Sequence, residues 1–282
     1  MISPSGYFAD GSCAACEMGG VMRSTLWIRR LRSAILLAKR CEAWVEMTTH
    51  RWKRIQIVAF GTLVLNRRLA YAVSLLRDEA DYDARIILRS MMEIHFNYAW
   101  MRLQEPQRRA NRFLKYGPIE RLRILAQWQD SNDPREKARI RAWKRARAKV
   151  RHLFASTKDG RTTWAPSWAK VRSFEARLYE VFKAATPPDK EVDESLYGIY
   201  RWTSSLVHGN PHVFTEVLGP PSTGLRARTT IPGLELDSSM RVAWSILALT
   251  LHAAVSDLGI ENADTDMVHR LAGNVAAYAD AP

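Results

Sequence analysis

Several kinds of residue and pattern are scarce in this sequence, and each scarcity removes a class of protein. Three cysteines in 282 residues are too few for a disulfide-stapled scaffold. Glycine and proline number 14 and 12, which disfavours a collagen-like chain, a linker or a many-stranded sandwich. Acidic residues are in the minority, 29 against 42 Lys plus Arg, for a net charge of +13. An acidic solvating protein is thereby excluded, and an anionic partner is the natural expectation. Long apolar runs are missing as well. Ile55 to Leu65 spans eleven residues, too short to cross a bilayer. Val242 to Leu258 is near the lower limit but carries His252 and Asp257, so it reads as a buried core helix and no membrane association is expected. Met1 to Val21 lacks the basic start and apolar centre of a signal peptide. The expected compartment is therefore the cytoplasm. A glycine-rich phosphate loop, G-x-S-x-G and H-E-x-x-H are all absent, and no cofactor is expected.

What is present is an apolar share of 47% with ten tryptophans, enough for a substantial interior. The apolar residues recur at helical rather than alternating spacing. Helices are predicted over 25–47, 55–76, 81–103 and 108–129, the last interrupted near Gly117-Pro118. Further helices are predicted over 134–154, 167–185, 191–207, 238–258 and 264–278, with loops at 157–166 and 213–236. Ala84, Ile87, Leu88, Met91, Met92, Phe96, Ala99 and Leu103 form the clearest apolar face. The fold class is all-α, a multi-helix bundle with a long irregular loop or small β-hairpin before the last long helix. Residues 1–22 read as a flexible tail, with Met22 an alternative start, and residues 23–282 as one helical domain with its core in 63–258.

The densest set of chemically capable residues is Tyr197 to Asn210. Arg201 and His208 are seven apart, so about 700° of helical rotation leaves them within roughly 20° of one azimuth. Ser204 and Ser205 flank the same stripe. A guanidinium can neutralise a phosphate and an imidazole can move a proton near neutral pH, so Arg201, His208 and Ser204 are the candidate catalytic groups. The opposing reading is a helix-terminal imidazole that caps carbonyls. Arg89 and Glu93, four apart, suit an internal ion pair that could hold Arg201 or His208 in position across the bundle.

Between Arg135 and Arg151 there are nine basic residues and one acidic residue. Arg139, Arg141, Lys144, Arg145, Arg147, Lys149 and Arg151 could neutralise phosphates, and Trp143 could stack on a base; a solvated helix face is the alternative. Cys13 and Cys16 form a lone C-x-x-C with no second pair for zinc. His208 and His212 have helical metal spacing, but Pro211 breaks the helix between them, so no metal site is expected.

The motif A-R-I-I-L-R-S-M-M-E-I-H-F-N-Y-A-W over 84–100 resembles the first core helix of a bacterial domain family of unknown function. Its members pair an R-S-x-x-E helix with a Tyr-rich helix ending in Ser-x-x-x-His-Gly. Here those residues are Arg89, Ser90 and Glu93, then Tyr197, Tyr200, Ser204, His208 and Gly209. The resemblance extends over about 63–258. That family is similar to the HEPN superfamily of helical bundles, whose ribonucleases carry Arg, four to six residues, then His. Trp202 stands where those enzymes usually have a polar residue. The resemblance implies a homodimer that cleaves RNA without metal, of toxin or phage-defence type. In it His208 would be the acid or base at the ribose 2′-hydroxyl, Arg201 would stabilise the phosphorane, and Arg89, Glu93, Tyr197 and Tyr200 would form the supporting polar network. The alternative is a non-enzymatic interaction module or a nucleotide sensor with the same network in a structural role.

Overall fold

The computed structural model describes residues 14–47, 52–76, 81–125, 133–158, 161–169, 173–184, 196–197, 200–201, 236–261 and 263–279. Among these the protein is all-α apart from one two-stranded hairpin. The helices are α1 (Ala14–Met47), α2 (Arg54–Leu75), α3 (Asp81–Leu103), α4 (Pro106–Ile124), α5 (Pro134–Lys149) and α6 (Arg151–Phe154), then α7 (Phe174–Ala184), α8 (Leu236–Leu258) and α9 (Ala263–Ala279). The strands β1 (Ala155–Lys158) and β2 (Arg161–Trp164) lie between α6 and α7. Leu196, Tyr197, Tyr200 and Arg201 are helical too.

The core is organised around α8, which packs against α1, α2, α3 and α9. Trp244, Ile246, Leu247, Ala248, Leu251 and Ala254 are all buried. Ser238–Leu258 is long and apolar enough to cross a membrane, but 72% of that window is covered by the rest of the protein. The fold thus uses this apolar surface itself. On α1, Leu31, Ala34, Ile35, Ala38, Cys41 and Val45 are buried at the three- and four-residue spacing of one helix face. Cys41 is 1% exposed, and burial, with the Asp264 charge second, pushes its thiol up to about 11.

Helix α3 is enclosed by α2, α7 and α8. Its predicted apolar face is buried at Ala84, Leu88, Met91, Met92 and Phe96, but Leu103 is exposed. Arg85, His95 and Tyr98 are buried as well. The helix end of α8 is a paired αL cap. Gly259 adopts φ 66°, its N–H bonds Ser256 O at 3.3 Å, and the Ile260 N–H bonds Val255 O at 3.1 Å. This turn sends the chain back along the core as α9.

Among the described residues the structure differs from expectation at α1, at α4, at the hairpin and at α7, which begins at Phe174 and not at the expected Ser167. Helix α4 runs unbroken through Pro118, although proline removes one backbone bond. Burial of Tyr116, Ile119 and Leu122 on one stripe holds the helix on both sides of that gap. The segment expected to be a loop at 157–166 is instead largely the hairpin, with Ala155 opposite Trp164 and Lys158 opposite Arg161. The residues between the strands in sequence are Asp159 and Gly160, a dipeptide that favours tight hairpin turns. Helix α1 starts at Ala14, ahead of the predicted Thr25. The expected loop or hairpin at 213–236 falls almost wholly outside the described residues.

Candidate functional site

On α3, one helical turn brings Arg89 and Glu93 together, with Arg89 Nε 3.1 Å from Glu93 Oε1. The same oxygen accepts the Tyr200 hydroxyl at 3.3 Å. The ion pair therefore reaches from α3 to the helical segment that carries Arg201. The Arg89 guanidinium lies 5.7 Å over the Tyr200 ring, and Phe174 of α7 packs against that ring at 4.7 Å. Burial, reinforced by the Glu93 charge, pushes the Tyr200 phenol up to about 12. It is thus a neutral donor throughout the physiological range. Tyr197 is half-buried and meets Phe182 edge-on at 5.6 Å.

Arg201 follows the buried Tyr200 directly and is exposed. The network consequently fixes one side of this helical segment and leaves the guanidinium of the next residue in solvent. His208, Ser204, Trp202 and Gly209 lie outside the described residues, as does the His208/His212 pair. Arg201 is therefore the one candidate catalytic residue that the structure places.

Arg177 of α7 is a member of this region that the sequence reading missed. It is 8% exposed, and its Nε donates to Asn97 Oδ1 at 3.0 Å. Its guanidinium lies against the rings of Phe174 and Trp168. Burial lowers its pKa, while the Glu175, Glu93 and Tyr200 charges act in the opposite sense. A basic residue inside a short amphipathic helix gave no local sign of burial. Only the packing of α7 onto α3 reveals it.

The second candidate surface is α5. Asp133 caps it by accepting the Arg135 N–H at 2.8 Å, and Pro134 occupies the first turn. Ile140 is its one buried residue. Arg135, Lys137, Arg139, Arg141, Lys144, Arg145, Lys149 and, two residues past the helix end, Arg151 are exposed. Arg139 pairs with Glu136 at 3.1 Å but keeps 72% of its side chain in solvent. Such a pair contributes little. Arg147 and Trp143 are half-buried instead. Arg147 lies 5.0 Å over Trp164 of the hairpin, and Arg121 of α4 lies 5.8 Å over Trp143. Trp143 is therefore partly occupied by a protein cation. Arg151 bonds Thr162 Oγ1 at 3.0 Å.

Arginines of helix α4 hold the hairpin and the segment after it in place beside this basic surface. Arg112 donates to Trp168 O at 2.6 Å and Leu153 O at 3.0 Å. Arg123 donates to Tyr116 Oη at 2.5 Å and to Ala165 O at 2.7 Å. Arg109 stacks 3.7 Å over Trp100. Burial lowers the pKa of both Arg109 and Arg112. These arginines are structural, whereas those of α5 other than Arg147 face water.

Residues 56–224 match the family of unknown function DUF5677, and the chain belongs to that family. No curated protein and no solved structure matches the chain. The matched residues contain both motifs, from Arg89 to His208, together with the whole basic surface. They stop short of α8 and α9, which the resemblance, drawn over 63–258, had partly included.

Proposed function

We propose that this protein acts on RNA, with the exposed cations of α5 as its phosphate-binding surface and the Arg201–His208 stripe as its chemical centre. The observation that supports this most is α5 itself: a helix with one buried residue and eight exposed cations on or beside it. A helix so poorly covered gains little from packing. Its cations would instead gain from neutralising phosphates and releasing counterions. The exposure of Arg201 next to the anchored Tyr200 supports the catalytic part. In this reading the protein is a HEPN-like homodimer in the cytoplasm, of toxin or phage-defence type. His208 takes the proton of a ribose 2′-hydroxyl, the 2′-oxygen attacks phosphorus, and Arg201 neutralises the phosphorane. The 5′-oxygen leaves with a proton, giving a 2′,3′-cyclic phosphate and a 5′-hydroxyl.

The test is induced expression of wild type, Arg201→Ala and His208→Ala in a bacterial host, with total RNA analysed for cyclic-phosphate ends. Growth arrest with such ends, lost in both variants while the proteins remain folded, is the expected result. A second reading, an interaction module with a structural polar network, draws on the half-burial of Arg89 and Glu93. It predicts intact RNA and no growth difference among the three proteins.

A further inference from the structure

On the far side of α3 from residues 89 and 93, three polar groups of α3 meet three from α8 and α9 around a cavity of about 690 Å³. That volume falls within the roughly 300–1,000 Å³ typical of small-molecule sites. Its walls include Ile55, Leu103, Val181 and Leu249, with the small residues Ala253 and Gly273. Its polar side is joined by hydrogen bonds. Asp257 Oδ2 accepts the Tyr98 hydroxyl at 2.6 Å and Arg102 Nε at 3.0 Å. His252 Nδ1 and His269 Nδ1 lie 3.1 Å apart, so one nitrogen donates and the other accepts. His95 Nδ1 is 3.1 Å from Thr250 Oγ1, which also accepts from Asn66 Nδ2 at 3.0 Å.

We infer that this cavity binds a small organic monoanion, a carboxylate carried on an apolar body, with Arg102 and the His252–His269 pair as its anion-recognising groups. The apolar walls suit the body of such a molecule. Among the described residues Arg102 commits only Nε, leaving two terminal nitrogens in the geometry that grips a carboxylate. Asp257, bonded to the same guanidinium, repels further negative charge, which disfavours a dianionic phosphate ester against a monoanion. A metal ion is the weaker occupant, because among the described residues no group of three His, Cys, Asp or Glu is placed to hold one.

The site is tested by calorimetric titration of the full chain with octanoate, 1-octanol and octyl phosphate. Octanoate is expected to bind saturably, with octanol and octyl phosphate each at least about tenfold weaker. His269→Gln, at an exposed position, is expected to weaken octanoate by about tenfold while leaving octanol within about twofold. Gly273→Phe should abolish binding of all three, since a Cβ there meets nothing within 4 Å and the helix tolerates the larger residue better than glycine. Circular dichroism confirms that both variants are folded. Equal affinity for octanol and octanoate, octanoate binding unchanged in His269→Gln, or no saturable binding of octanoate would each overturn the inference.

Discussion

Helices α8 and α5 stand at opposite ends of what a helix can contribute to this protein. Over 23 residues α8 presents apolar side chains on nearly every face and packs against four other helices. Over 16 residues α5 buries Ile140 alone and turns its cations outward. The first is formed because apolar area is removed from water on all sides. The second has no such return and depends on its Asp133 cap, its proline start and the aromatic–arginine contacts through Trp143 and Arg147. A helix retained with so little burial is better explained by what its exposed side can bind than by what it adds to the core.

The largest expected effect contrasts these two helices directly. Leu247→Ala in α8 should cost about 3–5 kcal/mol in denaturant unfolding, through lost burial and the cavity left behind. Ile140→Ala in α5 should cost about 2 kcal/mol at most, since its surroundings are open enough to relax. Equal losses from the two would mean that α5 is part of the core, and the contrast would fail.

The next effect concerns charge inside and outside. His95 on α3 is held down to about 4, by burial first and by the Arg102 charge second. As pH falls below the ordinary 6.5, the unfolded chain takes up the proton before the folded one. Stability is therefore complete above about 6.5 and is lost as pH falls toward 4, by on the order of 3 kcal/mol. Urea titrations at pH 7 and pH 4.5 should show that loss in wild type and a smaller one in His95→Gln. A loss of the same size in His95→Gln would contradict this assignment.

Removing the outward charge should move binding but not stability. With Arg139, Arg141, Lys144 and Arg145 all changed to Gln, the slope of log affinity for single-stranded RNA against log salt should flatten by about 3. The unfolding free energy should stay within about 0.5 kcal/mol. A flattened slope with a large stability loss would show that these cations are internal to the fold. The smallest effect is Tyr200→Phe, expected to cost about 1 kcal/mol by removing the hydroxyl from Glu93. It should also make Arg201→Ala less consequential for RNA cleavage, if the anchored tyrosine is what positions that arginine.

The same contrast explains how much was legible beforehand. Helix α8 and the Arg89–Glu93 pair follow from local periodicity, and both are found where spacing puts them. The unbroken α4 was misread because Gly117-Pro118 is a local breaking signal, while the burial of Ile119 and Leu122 comes from packing. The hairpin was missed because its strands are Thr-rich and outward-facing, with no apolar alternation to mark them. Only the Asp159-Gly160 dipeptide signalled it. Of the expected catalytic set the structure places Arg201 alone. The cavity polar groups were invisible for a different reason: Tyr98 and Asp257 are distant in sequence and meet where α3 packs on α8, and His269 joins them where the turn at Gly259 brings α9 back along α8. His252 and Asp257 within an apolar helix were the one available hint.

Burial of Cys41 also carries a practical consequence. At neutral pH its sulfur is almost entirely in the unreactive protonated form and out of reach of solvent. Alkylating reagents can therefore reach it only when α1 lifts from the bundle. Its labelling half-time, read by peptide mass spectrometry separately from Cys13 and Cys16, would serve as a clock for opening of the core, with no mutation added.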